Sequence, residues 1–382
     1  MGNRPRKAPS RMTDASTINH VLRIRRHCTP AIRAIRGVVA TAVGLKDVAG
    51  TAKPALFVFV DAKLNARWLH ADDVVPPILA EPGGLECPTD VIEVGPDMAA
   101  AYPPGRLSGA NLALRGDLRG GYDQLSAGSQ LGFVDASGGR QAGSLATFAY
   151  DRQTDELGLI TNAHVGEFVG NALAHPESDS HRRIAEVTKL FTLVSSATRF
   201  GADHARDREF AKVDAMFATL RGVDVATEIT FEVPILVDES VDGTIVSTIV
   251  NQPLGARFAL DLDDPSCAPL REDVVAVGRT RSFQRGRIEC FAYELAYGPH
   301  ATLVTDYVIA PANPDEYFSD AGDSGKLVVT ESDFRPIALL WGGKQMRTDF
   351  TQELVDHSFA TDIGFVCDLL DVEIAGTPRA TQ

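Results

Sequence analysis

The chain has 382 residues, 44% of them apolar and 23% charged, a balance that excludes disorder and collagen-like repeats and is that of an ordinary globular protein. Its formal net charge of −14 is uneven: residues 1–36 carry nine Lys/Arg against one Asp, about +8, which leaves about −22 on the remainder. An acidic body argues against nucleic acid as the main partner, and this length supports two or three domains with large cores and no disulfide staples.

The five cysteines, Cys28, Cys87, Cys267, Cys290 and Cys367, are scattered and never fall at CxxC spacing. Neither a secreted disulfide framework nor a zinc site is expected from them. No apolar run of signal-peptide length follows the basic start, and no stretch reaches the roughly 20 apolar residues of a membrane span. These features predict a cytoplasmic protein.

In chain order, Ser16 to Ala34 sets Ile18, Val21, Leu22, Ile24 and Ile32 between arginines, which predicts an amphipathic helix interrupted near Pro30. Val38–Leu45, Ala55–Val60 and Val91–Val94 are short β-rich runs, so the first hundred residues read as a small α+β unit without recognisable chemistry. Residues 99–128 are rich in Gly and Pro and read as a linker or irregular lead-in. Beyond Gly132 short apolar segments recur between turn residues: Ser144–Tyr150, Leu157–Thr161, Val213–Thr219, Ile229–Val237, Thr244–Val250, Val274–Val277, Ile288–Tyr293, Ala301–Ile309, Lys326–Val329 and Pro336–Leu340. Ten or more short strands predict an all-β sandwich or barrel pair, closed by a helix over Ile363–Leu370.

Three segments carry candidate chemistry. Gly322-Asp323-Ser324-Gly325 is a small-residue loop ahead of an apolar strand, a setting in which backbone N–H groups can converge on one oxygen. Taken alone, it is equally an ordinary turn. Leu157-Gly158-Leu159-Ile160-Thr161-Asn162-Ala163-His164-Val165 ends a strand in a histidine, and a serine hydroxyl needs such a base to take its proton. A hydrogen-bonded strand-end histidine is the plainer reading. Asp214, in Lys212-Val213-Asp214-Ala215-Met216, heads an apolar run, where an inward carboxylate needs a partner such as a histidine N–H and an outward one needs only water.

Together these give the order His164, Asp214, Ser324 on an all-β background, and over residues 110–372 the sequence resembles a trypsin-like, chymotrypsin-fold serine peptidase. Thr161-Asn162-Ala163-His164 matches that family's Thr-x-x-His segment, Val213-Asp214-Ala215 its strand-borne aspartate, and Gly322-Asp323-Ser324-Gly325 its serine loop. The resemblance implies a His164–Asp214–Ser324 triad and an oxyanion hole over Gly322, Asp323 and Ser324. It also implies a substrate-binding edge at Trp341-Gly342 and a specificity-pocket base at Phe318, which suits a small or apolar residue before the cut. Val277-Gly278-Arg279-Thr280 and Arg285-Gly286-Arg287-Ile288 are similar to a hairpin of intracellular and bacterial members. Those members also carry a small domain ahead of the peptidase, as does a plant leaf-development group.

The departures are Val165 where secreted members have cysteine, Lys326 in place of a second glycine, and Arg281-Ser282 in place of small residues. Secreted relatives pair the aspartate beside the serine with a freshly cut N-terminal amine. No such start is present, so Asp323 is expected to find another cation or stay solvated.

The implied fold class is mainly β, a double Greek-key barrel preceded by a small α+β domain. The implied limits are 1–36 for a basic leader and helix, 37–105 for the small domain and linker, 106–225 and 226–372 for the two barrels with the closing helix, and 373–382 for a tail. The expected activity is that of a serine endopeptidase acting on polypeptides. A catalytically silent scaffold on the same fold and a serine esterase or amidase are the alternatives. No cofactor is expected. His175, His181 and His204 lack metal-ligand spacing, and Asp261, Asp263, Asp264 and Asp273 lack the calcium-loop pattern. The N-terminal domain is expected to serve regulation or contact between copies.

Overall fold

A computed structural model describes residues 13–94, 109–119, 124–134, 140–176, 182–241, 244–266, 268–297, 301–313, 316–347 and 354–377. The basic stretch 1–12 and the Gly/Pro-rich stretch 95–108 lie outside the described residues. The expected fold class is observed: mainly β strands, preceded by a helix-plus-strand unit.

That unit begins with β1 (Thr13–Asp14) and helix α1 (Ile18–Ala34), whose start is capped by the Thr17 hydroxyl accepting from His20 N–H at 3.2 Å. Contrary to the expectation from Pro30, α1 runs through it unbroken. Ile18, Val21, Leu22, Ile24 and Ile32 are all buried, and this packing on both sides of Pro30 holds the turn that proline alone would loosen. Strands β2 (Val38–Val48) and β3 (Thr51–Val60) form a hairpin over the two-residue turn Ala49-Gly50, both in the left-handed region. Strands β4 (Ile78–Ala80) and β5 (Leu85–Glu93) complete the unit, with β5 parallel to β3.

Helix α2 (Gly109–Arg119) then leads into seven strands, so part of the expected irregular lead-in is helical. They are β6 (Gln130–Val134), β7 (Arg140–Ser144), β8 (Thr147–Asp151), β9 (Leu157–Thr161), β10 (Ala172–Ala174), β11 (Arg183–Ser195) and β12 (Glu209–Leu220), with the one-turn helices α3 (Ala163–Gly166) and α4 (Ser196–Phe200) between them. Their order across the sheet is β7–β6–β10–β11–β12–β9–β8. The expected strand Ser144–Tyr150 is two strands, broken at Leu145-Ala146.

After the short α5 (Val225–Glu228), β13 (Glu232–Val241) and β14 (Thr244–Pro253) form a separate ribbon. The second barrel uses β15 (Asp273–Gly278), β16 (Ser282–Tyr297), β17 (Ala301–Pro311), β18 (Leu327–Thr330), β19 (Pro336–Arg347) and β20 (Leu354–Asp362). These close in the ring β15–β16–β17–β20–β19–β18–β15. A parallel contact of Glu209–Ala211 in β12 with Thr302–Val304 in β17 joins the two barrels. Helix α6 (Ile363–Leu370), found where the sequence predicts it, and β21 (Val372–Ile374) close the chain onto β8.

The N-terminal unit is continuous with the second barrel: Val43 and Gly44 of β2 pair with Phe291 and Cys290 of β16. A buried charge cluster fixes it further. The Arg25 guanidinium of α1, fully buried, donates to Glu209 at 2.8 Å and to Glu294 at 2.7 Å, and Arg206 bonds the same two carboxylates. Burial would raise the Glu209 pKa, yet Arg25 and Arg206 reverse this and hold it below the ordinary glutamate value. Removing one cation from such a cluster leaves buried carboxylates uncompensated. Arg25→Ala is therefore predicted to destabilise the protein by about 3–5 kcal/mol in urea unfolding, and a loss below about 1 kcal/mol would refute this role.

Candidate active site

Strand β9 ends at Thr161, and the single turn α3 swings His164 to the rim, where its side chain is 43% exposed. Asp214 comes from a bulge in β12: Phe191 opposes Ala215 and Leu193 opposes Lys212, so Val213 and Asp214 face only Thr192. Asp214 takes φ +48°, a left-handed conformation that aspartate tolerates better than most residues. The bulge turns its carboxylate toward α3. Thr361 of β20 hydroxyl-bonds the carbonyls of Lys212 at 2.9 Å and Val213 at 3.3 Å, and the Asn162 amide bonds that of Asp214 at 2.7 Å. Three backbone acceptors displaced by the bulge are thus satisfied.

The result is a two-point grip. Asp214 Oδ1 accepts the His164 backbone N–H at 3.1 Å, and Oδ2 lies 2.9 Å from His164 Nδ1. An ionised carboxylate only accepts, so Nδ1 carries the proton and Nε2 is left as a base. Lys212 Nζ stands 3.3 Å from Oδ2 and 5.5 Å above the Trp341 ring. Burial would raise the Asp214 pKa, but the hydrogen bond and charge of His164, with Lys212, overcome it and hold the carboxyl below its ordinary value.

Ser324, half-buried, approaches from the second barrel. Its carbonyl accepts Ser144 N–H at 2.7 Å, while Ser144 Oγ reaches the Gly322 carbonyl at 3.3 Å and accepts Arg279 N–H at 3.0 Å. The Ser144 carbonyl in turn accepts the Thr161 hydroxyl at 2.8 Å, three residues before His164. Ser144 therefore ties the serine loop to the histidine strand. Two glycines permit this approach. A Cβ on Gly325 (φ +89°) would lie 2.2 Å from Thr161 Oγ1, and one on Gly143 would lie 2.4 Å from Val165 Cγ2 and 2.8 Å from the Ser324 carbonyl. Among the described residues no hydrogen bond joins Ser324 Oγ to His164.

Asp323, expected to need a new cation, is fully buried beside one. Oδ1 accepts Thr280 N–H at 2.8 Å, Oδ2 accepts Asp320 N–H at 3.2 Å, and Lys326 Nζ is 3.5 Å from Oδ2. Phe318 is fully buried in the core behind the loop, with its carbonyl accepting Lys326 Nζ at 2.9 Å. Trp341 packs on Phe359 at 5.4 Å between ring centres, and the Cα of Gly342 faces open space. The sequence alone points to no role for Ser144, Thr361 or Lys212. A hydroxyl directly after a small residue and a lysine two residues before an acid are the only signals they leave. Lys326 was visible only as a departure, although a charge heading Leu-Val-Val is itself a sign of a buried partner.

Two family models cover nearly the whole described chain: the NARROW LEAF 1 N-terminal domain over residues 13–92 and the Nal1 C-terminal domain over residues 111–378. The chain belongs to the NARROW LEAF 1 family. Protein NARROW LEAF 1 of Oryza sativa subsp. japonica is 25% identical over 387 residues, which span 96% of this chain and 62% of that protein. Among solved structures, Thermobifida fusca Protease A is 15% identical and matches 66% of this chain and all of its own, with a TM-score of 0.38. A glutamic acid-specific serine protease that uses a histidine triad in substrate binding is 10% identical, with the same coverage and a TM-score of 0.41.

The Asp214 environment has a measurable consequence. A depressed native pKa contributes stability above the ordinary aspartate value of about 3.9 and loses it as pH falls through the native value. Carboxyl NMR is predicted to show Asp214 titrating below about 3.9 and Lys212→Met moving it upward; a midpoint at or above the ordinary value would contradict the two-point grip.

Proposed function

We propose that this member of the family is a serine-type endopeptidase. The observation that carries the reading is the contact of His164 Nδ1 with the buried Asp214 carboxylate at 2.9 Å, on a rim against which the Gly322–Gly325 loop is packed. Ser324 Oγ attacks the carbonyl carbon of a peptide bond while His164 Nε2 takes its proton. The imidazolium, stabilised by Asp214, then protonates the departing amine, and water repeats the sequence on the acyl-enzyme. The N–H groups of Gly322 and Ser324 hold the oxyanion, a function whose loss typically costs about 10²–10³-fold in rate per donor.

The Trp341-Gly342 edge takes substrate backbone by strand addition, and a small or apolar residue before the cut suits a loop whose interior is filled by the fully buried Phe318 ring. The free thiols at Cys28, Cys87, Cys290 and Cys367 fit a reducing compartment such as the cytoplasm. Among the described residues no helix is long and apolar enough to cross a membrane.

A second reading, a scaffold that keeps the fold without turnover, is favoured by the missing hydrogen bond between Ser324 and His164. One experiment separates the two. A fluorophosphonate probe is expected to label the natural chain at Ser324, to lose labelling in Ser324→Ala, and to fall about 10³–10⁴-fold in labelling rate in His164→Ala and Asp214→Asn. An unlabelled natural chain supports the scaffold. Labelling that persists in Ser324→Ala refutes the nucleophile.

A further inference from the structure

We infer that Lys326 is a positioning residue: its buried ammonium holds the 318–324 loop from the inside, so that the candidate oxyanion donors are set by the chain's own interior charge. This deepens the peptidase reading and rests on it for its functional meaning, although the structural statement stands without catalysis.

Asp323, with its side chain fully buried, stands directly between the two residues whose N–H groups would meet an oxyanion. Its carboxylate accepts Thr280 N–H at 2.8 Å, Arg281 N–H at 3.2 and 3.3 Å to its two oxygens, and Asp320 N–H at 3.2 Å. Neutral donors alone leave a full negative charge in a low-dielectric site, where an unpaired carboxylate moves to water or takes up a proton. Either outcome would pull the 320–324 backbone out of register, because the same carboxylate spans Asp320 and Thr280.

Lys326 answers that charge. Its side chain is also fully buried, and Nζ bridges Asp323 Oδ2 at 3.5 Å and the Phe318 carbonyl at 2.9 Å, with the Phe318 ring centre 5.5 Å away. One ammonium thus spans both ends of the loop, from the proposed pocket base to the residue before the nucleophile. The other charged groups facing it are Asp320, and Arg281 opposite Asp320 at 3.2 Å. The site has no room to spare: a Cβ on Gly278 would lie 2.6 Å from Asp323 Oδ1 and 2.8 Å from Lys326 Cε. The place beside the Asp323 carboxylate is thus filled by a cation only three residues away in the chain. Burial lowers the Lys326 pKa below the ordinary lysine value, with Asp323 opposing, so the ammonium is lost at a lower pH than a solvated lysine.

Backbone amide exchange of the full chain tests this without reference to activity. In Lys326→Met, exchange across 318–325 is expected to rise about 10-fold or more relative to β18 and β19, and Asp323→Asn in that background is expected to restore most of the protection. In the natural chain, raising the pH from 7 to 10 is expected to accelerate exchange of the loop beyond that of β18. Equal loop protection in a folded Lys326→Met, or no rescue by Asp323→Asn, overturns the inference. Should the variants not fold, a constant loop-to-β18 ratio across the pH series in the natural chain overturns it instead. A protected loop in a natural chain that takes no fluorophosphonate leaves Lys326 in place and counts against the peptidase reading alone.

Discussion

The geometry of the candidate site depends on how Ser144 satisfies its backbone and hydroxyl groups across the seam between the barrels. Its N–H goes to the Ser324 carbonyl, its carbonyl to the Thr161 hydroxyl, and its hydroxyl to Gly322 and Arg279. The last residue of a strand would ordinarily lose such groups to solvent or leave them unmet. Here three segments answer them, the serine loop, the end of β9 and the β15–β16 hairpin, and every answer lies within three residues of a candidate catalytic group or on the hairpin that receives Asp323. The separation of His164 and Ser324 is therefore set by short, directional bonds rather than by the average packing of two barrels.

Burial of charge is the second organising constraint. Asp214, Asp323 and the Glu209–Glu294 pair are all removed from water, and each is answered by a cation held close in the chain or brought from another layer: Lys212, Lys326, and Arg25 with Arg206. Such pairs add little net stability over apolar residues, but removing one partner leaves an uncompensated buried charge. Two of the three lie beside candidate catalytic residues, and the third fastens α1 to β12 and β16.

Most strand segments, and the motifs that bear the candidate residues His164, Asp214 and Ser324, are legible because they depend on local signals: alternation, turn residues, and short motifs in order. The path of α1 through Pro30 was not, since proline's local cost is outweighed by apolar packing that only the folded chain reveals. Helix α2 was hidden by the surrounding Gly and Pro, and β11 by its lack of a regular apolar–polar alternation. The role of Lys326 could not be read because a lysine near an aspartate is ordinarily a solvated pair. Only the depth of the site distinguishes the two cases. Ser144 and Thr361 are invisible for a related reason: a hydroxyl that serves distant carbonyls carries no local pattern.

The guanidinium of Arg25 gives the amino-terminal layer a standing that its lack of catalytic groups conceals. It neutralises Glu209, which lies on the same strand as Asp214 and only five positions ahead of it. An insertion or a proteolytic nick in α1 would thus be felt as unbalanced electrostatics inside the body of the molecule, and a shortened gene product that starts at the first barrel would not be a minimal version of the whole.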